Sequence, residues 1–355
     1  MNSYTEVSAR LVDLDRWDRF AQDVVFNETP DLAYSLAMNA DIIHLHNQVN
    51  LTCRDFGVID FCKLMSKGKT VIRHFHSQPE LIISSTGEAL EELINSDCPC
   101  LVIAQYPERF YPNAYVVPNI VSLESPIVSC GDESGADIFY SPTWMNSGWS
   151  SRWDTKGAVE TEALLRRISK NVGFCYEVIS KKPHGFVMSR KLNAKVVLDE
   201  LVTGSFHLNG LEGLSLGKPT VCYLDGRTKY VMRYISGAHR LPFVNCRLED
   251  AYDVIVGLLG DGEALKAVGN ASRDWMHKYW AEASLAKLFV DAYSSVLANP
   301  KQFGRQEELS LMHEGDQFME VSLPDLIYKG RKRVGNTAAN RLKVGISRLQ
   351  RKIKL

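Results

Sequence analysis

Short apolar runs recur along this chain, separated by stretches with helical spacing, and that alternation restricts the fold more than any single motif. Asp41-Ile42-Ile43-His44-Leu45-His46 is apolar with a polar end, the pattern of a strand buried on both faces of a parallel sheet. Lys69 to His76, Cys100 to Ala104 and Tyr115 to Asn119 repeat it, with helical segments at Val58 to Met65 and Glu88 to Asn95. Strands alternating with helices imply βαβ units.

A loop rich in Ser, Gly, Glu and Asp spans Ser122 to Gly135 and reads as a linker. The alternation then restarts with Asp137 to Ser141, a helix from Gly157 to Lys170, and a strand from Phe174 to Ile179. Ala158, Leu164, Leu165 and Ile168 form the apolar face of that helix. Arg190 to Val197 reads as a helix running into a strand at Val196 to Leu198. Gly210 to Leu216 reads as a helix, Pro219 to Tyr223 as a strand, and Glu249 to Leu259 and Gly262 to Leu297 as helices. At 355 residues, two domains are expected. They are an N-terminal α/β lobe over 1–130 and a second over 136–300, with an extension over 301–355.

No run approaches the roughly 18 to 20 apolar residues of a membrane span, and the N-terminal residues lack the apolar core of a secretory leader. A cytoplasmic location is expected. The eight cysteines include no Cys-x-x-Cys, which points to free thiols and away from a zinc knuckle or a disulfide framework. The net charge is −1, yet Tyr328 to Leu355 holds only basic charges, so the body is acidic. Leu342, Ile346, Leu349 and Ile353 share one helical face in that tail, with Arg341, Arg348, Arg351, Lys352 and Lys354 mostly off it. A basic amphipathic helix suits an anionic membrane surface, and peripheral attachment is expected; packing on the body or a partner is the rival reading. Nucleic acid is not expected, because the rest of the chain shows no basic patch with interleaved aromatics.

The segment Thr203 to Thr220 carries the most chemistry. A glycine turn at Gly204 can bring backbone close to a ligand. The helix after it offers N-terminal amides to a phosphate. Glu212 lies on that helix, where a carboxylate could take two hydrogen bonds from a ribose diol. A glycine-rich helix cap with a surface glutamate fits the same residues.

Phe206, Glu212, Gly217 and Pro219 together resemble the donor-site motif of GT-B glycosyltransferases, above all the large retaining group, Glu-Gly-Phe-Gly-x-x-x-x-Glu-Ala-x-Ala-x-Gly-x-Pro. Asp41 to His46, Arg73 to His76, Val116 to Asn119 and Trp153 to Gly157 resemble other motifs of that family, in the family's order. The resemblance implies two Rossmann-like doubly wound lobes, a nucleotide-sugar donor that is a substrate and no separate cofactor, and a glycan or lipid-linked acceptor, as in cell-surface polysaccharide synthesis. It implies donor-binding roles for Arg152, Lys156, Gly204, Ser205, Phe206 and Glu212. Lys156 and Arg152 would neutralise the diphosphate as it leaves, and His76 would touch the donor sugar at the cleft. Gly204 stands where the family has its first Glu, which leaves the stereochemistry open. His207 stands where the family has a small residue, and could supply part of the lost polar contact as a third catalytic candidate. The basic turn Lys181-Lys182-Pro183-His184 would border the base and phosphates, or simply be solvated. Trp144, Trp149 and Trp153 would line an acceptor or pack. No metal motif is read in the sequence, neither an Asp-x-Asp on a loop after one of the strands read above nor a Walker loop, and transfer without a metal is expected.

Overall fold

The computed structural model describes residues 1–16, 22–123, 135–143, 145, 157–301, 303–304 and 326. The chain divides into two units, Met1–Glu308 and Leu309–Leu355. The basic tail, Arg152, Lys156, Trp144, Trp149 and Trp153 lie outside the described residues.

The first lobe begins with β1 (Val12–Asp13) and β2 (Val24–Val25), a short parallel pair, and α1 (Pro30–Asn39), whose proline occupies the first turn. A proline is tolerated there because the first-turn amides have no partner inside the helix. Then come β3 (Ile42–His46), α2 (Phe61–Ser66), β4 (Thr70–Phe75), α3 (Pro79–Thr86), α4 (Leu90–Ile94), β5 (Cys100–Ile103), a 3-10 turn at Pro107–Phe110, and β6 (Tyr115–Val117). The four sheet strands run in parallel and in chain order, β3-β4-β5-β6.

The second lobe contains β7 (Ile138–Tyr140), α5 (Ala158–Val172), β8 (Tyr176–Val178), α6 (His184–Asn193), β9 (Val196–Leu198), α7 (Leu208–Ser215), β10 (Thr220–Cys222), α8 (Gly226–Ser236), β11 (Val244–Asn245) and α9 (Ala251–Gly260). Its order, β11-β10-β9-β7-β8, reverses direction at β7 and is doubly wound. Ile138, Tyr140, Val196, Leu198 and Val221 meet α5 and α9 on one face, while Phe139, Val197 and Cys222 face the other way. The expected apolar face of α5 is buried as its spacing requires.

Two further helices close the unit, α10 (Gly262–Tyr279) and α11 (Glu282–Ala298). The apolar spacing from Gly262 to Leu297 reads as continuous, yet the helix stops at Trp280, which is fully buried and donates its ring N–H to the Asn119 carbonyl at 3.0 Å. The redirected chain sends α11 onto the first sheet. There Ala292 and Val296 pack with Ile72, Leu101 and Val117. Sequential strands connected by right-handed crossovers place their helices on one face, and α11 supplies the cover that the other face would otherwise lack. Helix α6 begins at His184, six residues earlier than the spacing alone implies, directly after Pro183. Among the described residues no helix is long and apolar enough to cross a membrane.

Candidate functional site

Strand β9 ends in Asp199-Glu200, and both carboxylates are buried. The chain then turns through Leu201 to His207 and enters α7. Glu200 accepts the backbone N–H groups of Val202, Thr203, Gly204 and Ser205 at 3.1, 2.6, 2.8 and 2.8 Å. Asp199 accepts the His207 N–H at 2.5 Å, and its other oxygen lies 3.6 Å from His207 Nδ1. The glycine-rich loop is therefore wrapped round the chain's own two carboxylates. The loop's own amides are thus taken up inside the chain, and the expectation of a phosphate on helix amides rests on α7 alone. The first-turn amides of α7, at Leu208 and Asn209, remain as the donors a helix leaves without an internal partner. Burial pushes the Glu200 carboxyl up to about 7, against the opposing pull of the amides.

Gly204 has φ +89, and a Cβ there would come within 2.8 Å of Asp225 Cβ. Its close approach is to Asp225, not to open space. The missing first Glu thus has a steric cause: a left-handed backbone against a neighbouring side chain. Gly210, within α7, is constrained by space alone, since a Cβ would lie 2.5 Å from Asp199 Oδ2.

Ser205 and Phe206 do not offer their side chains to a donor. Ser205 is buried and its hydroxyl donates to the Gln105 carbonyl of the first lobe at 2.8 Å. Phe206 is fully buried among Phe243, Trp280 and Leu211. The motif's aromatic is a core residue here, and its neighbour is a fastener between lobes.

That fastening continues below the loop. Arg109 donates to Asp225 at 2.8 and 3.3 Å and to the Thr228 hydroxyl at 3.1 Å. Arg227 donates to Glu108 at 2.9 Å. All four charged groups are buried, so each depends on its partner. The residues lie more than a hundred positions apart, and no sequence spacing signals them.

Glu212, on α7, keeps part of its surface open at 15% side-chain exposure. His184 Nε2 meets one oxygen at 2.8 Å, and the fully buried Lys191 ammonium meets the other. Burial opposes the charge on Glu212, but the His184 hydrogen bond and the Lys191 charge more than offset it, and its pKa falls below the ordinary value. The basic turn contributes His184 to this group, as the first residue of α6; Lys191 follows two turns later. A carboxylate has about four lone-pair sites. Two are used here, so acceptor capacity remains.

His76 belongs to a different assembly. Its Nε2 lies 3.1 Å from His46 Nδ1, and its ring lies tilted against His74 of the first sheet with centroids 4.2 Å apart. Burial and the neighbouring His46 push its pKa down to about 4. Of the three catalytic candidates, His207 stands at the head of α7 over Asp199, His76 stands in the histidine group, and Lys156 lies outside the described residues.

No family model matches the sequence, and no curated protein matches it. Solved structures do resemble the fold. An alpha-glucosyltransferase in complex with UDP and a 13-mer DNA containing an HMU base superposes with a TM-score of 0.51 at 12% identity, covering 77% of this chain and 85% of that one. An alpha-glucosyltransferase with UDP-glucose and DNA containing an abasic site gives 0.50 at 11%, covering 78% and 86%. A sucrose-phosphate synthase from Thermosynechococcus elongatus gives 0.47 at 12%, covering 78% and 81%. The chain has the two-lobed GT-B fold of these glycosyltransferases, mixed α/β with parallel sheets.

Proposed function

We propose that this protein is a glycosyltransferase that moves a sugar from a nucleotide donor to a glycan or lipid-linked acceptor. The observation that carries this reading is Glu212: ionised, partly open, held by Lys191 and His184, and left with spare acceptor sites for a ribose diol. The fold's likeness to a UDP-bound enzyme supports the donor class. The diphosphate would meet the α7 amides at Leu208 and Asn209, with Lys156 and Arg152 neutralising the departing charge without a metal. His207 would reach the sugar from the head of α7, and the basic tail would bring the enzyme to an anionic membrane. The two alpha-glucosyltransferase neighbours are bound to DNA; the acidic body of this chain favours a different acceptor, and a DNA product in an acceptor screen would reverse that choice.

Calorimetric titration with a panel of nucleotide sugars, alongside a transfer assay, tests the reading. Glu212→Gln, which keeps the side chain's size beside Lys191, should weaken donor binding by about 1–3 kcal/mol. No binding and no turnover with any donor sinks the proposal. A second reading, a nucleotide-sugar-binding protein without transfer activity, draws on Gly204 in the place of the family's first Glu. Donor binding without turnover would select it. An epimerase or a glycerophosphate-type transferase on this fold would be separated by product analysis.

A further inference from the structure

Strand β3 carries His44 and His46, and β4 carries His74 with His76 immediately past its end. Alternate residues of a strand share a face. The parallel register sets His46 beside His74, and all four rings gather on the face that α11 covers. Neighbouring ring centroids are 4.2 to 5.3 Å apart. Simple packing does not account for them. His74 is 3% exposed, and neither of its nitrogens has a hydrogen-bond partner; His44 Nε2 is equally bare. A buried polar atom without a partner costs about 1–3 kcal/mol, and a phenylalanine would fill the space without that cost.

We propose that His44, His46 and His74 form a binding site for a divalent transition ion of the zinc class. One ring nitrogen from each lies within 4.8 Å of the other two. Outer partners orient two of the rings: His44 Nδ1 meets the Tyr293 hydroxyl at 3.0 Å, and His46 Nδ1 meets His76 Nε2 at 3.1 Å. With Nδ1–H donating outward, Nε2 of each is left with its lone pair, the arrangement usual behind metal-bound imidazoles. Zinc takes imidazole nitrogens at about 2.0–2.1 Å, which sets neighbouring ligands roughly 3.3 Å apart in a tetrahedron. A rotation of His46, exposed at the end of its strand, with His76 following it, would make up the difference. Three imidazoles without a carboxylate or thiolate suit Zn²⁺, Co²⁺, Ni²⁺ or Cu²⁺ and not Mg²⁺ or Ca²⁺. The fourth position is left for water. Through Tyr293 the ion would tie both strands to α11. This site is on the first lobe and is independent of the donor reading.

The test uses the untagged full-length protein, stripped with a chelator and titrated with Co²⁺. One ion per chain should bind, with visible bands of a nitrogen-ligated site that Zn²⁺ abolishes and Mg²⁺ does not. His46→Gln and His74→Leu should each weaken binding at least tenfold, while His239→Gln and His277→Gln, on exposed positions elsewhere, leave it unchanged. Absence of saturable one-to-one binding by either ion at 100-fold molar excess over protein at about 10 μM, or wild-type binding by both cluster variants, overturns the proposal. His46→Gln, at an exposed position, keeps the test decisive if His74→Leu does not fold.

Discussion

The two sheets end in opposite chemistry. Strand β9 of the second lobe ends in two buried carboxylates that the next seven residues wrap with backbone N–H groups. Strands β3 and β4 of the first end in four imidazoles, of which His74 has neither nitrogen bonded. His74 is buried like the two carboxylates, but unlike them it is not satisfied. In the second lobe the polar groups serve the fold: they shape the loop that sets α7, and with it Glu212. In the first lobe both nitrogens of His74 and the Nε2 of His44 have no partner within the chain. Buried polar atoms that shape a loop should be costly to remove, and buried polar atoms that lack partners should be cheap to remove.

The sharpest break of this comparison is Glu200→Ala. It leaves four backbone donors, from Val202 to Ser205, facing a void. The expected loss is about 4 kcal/mol or more in urea unfolding, with donor binding lost alongside because α7 is no longer placed. A loss under about 1 kcal/mol would mean the loop holds its shape without the carboxylate. Glu200→Gln reads the same site through pH. The Glu200 carboxyl titrates near 7 in the folded protein, against 4.5 ordinarily. Between those values the native state holds a proton that the unfolded chain has lost, so stability falls as pH rises through that window, by up to about 3 kcal/mol. The glutamine variant lacks that slope. Parallel stability curves for the two proteins from pH 4.5 to 7 would remove Glu200 as the cause.

Gly204→Glu comes next. It restores the carboxylate of the resembled motif, and a sequence comparison would expect a gain of function. The structure implies the reverse. The left-handed φ costs a non-glycine residue about 1–2 kcal/mol, and the new Cβ meets Asp225, whose carboxylate is already engaged with Arg109. A loss of about 2–4 kcal/mol is expected in denaturant unfolding, with no tighter donor binding. Improved turnover would show that the loop can open at Asp225.

How much of this was legible follows from the range of the interactions. Strands such as Cys100–Ile103 and the buried face of α5 were readable because an apolar pattern is local. Glu212 was readable because its helix carries a spaced motif. Its partners were not: Lys191 and His184 lie 21 and 28 residues away and reach it only through the packing of α6 on α7. Phe206 and Ser205 were readable as a motif, but not the places of their side chains, one in the core and the other bonded to Gln105 of the first lobe. The short strands β1 and β2 carry two residues each, too few for any period to register. The two His-x-His pairs were in plain view, and their alternation assigns each pair to one face. Only the register of β3 on β4, with His46 beside His74, makes them a single group.

The smallest effect is the one whose sign matters most. His74→Leu replaces a fully buried imidazole by an apolar side chain of similar bulk. In chelated protein it removes two nitrogens without partners and should stabilise the fold by about 1 kcal/mol, or leave it unchanged, where every loop variant destabilises. With saturating Zn²⁺ the order should invert, because the wild type then gains the larger binding energy, about 2.7 kcal/mol at a hundredfold excess over its dissociation constant. Thermal unfolding of both proteins, with and without the ion, reads all four states. If His74→Leu is instead destabilised by several kcal/mol in chelator, the imidazole has a structural partner after all, and the first lobe's histidines belong in the same class as the second lobe's carboxylates.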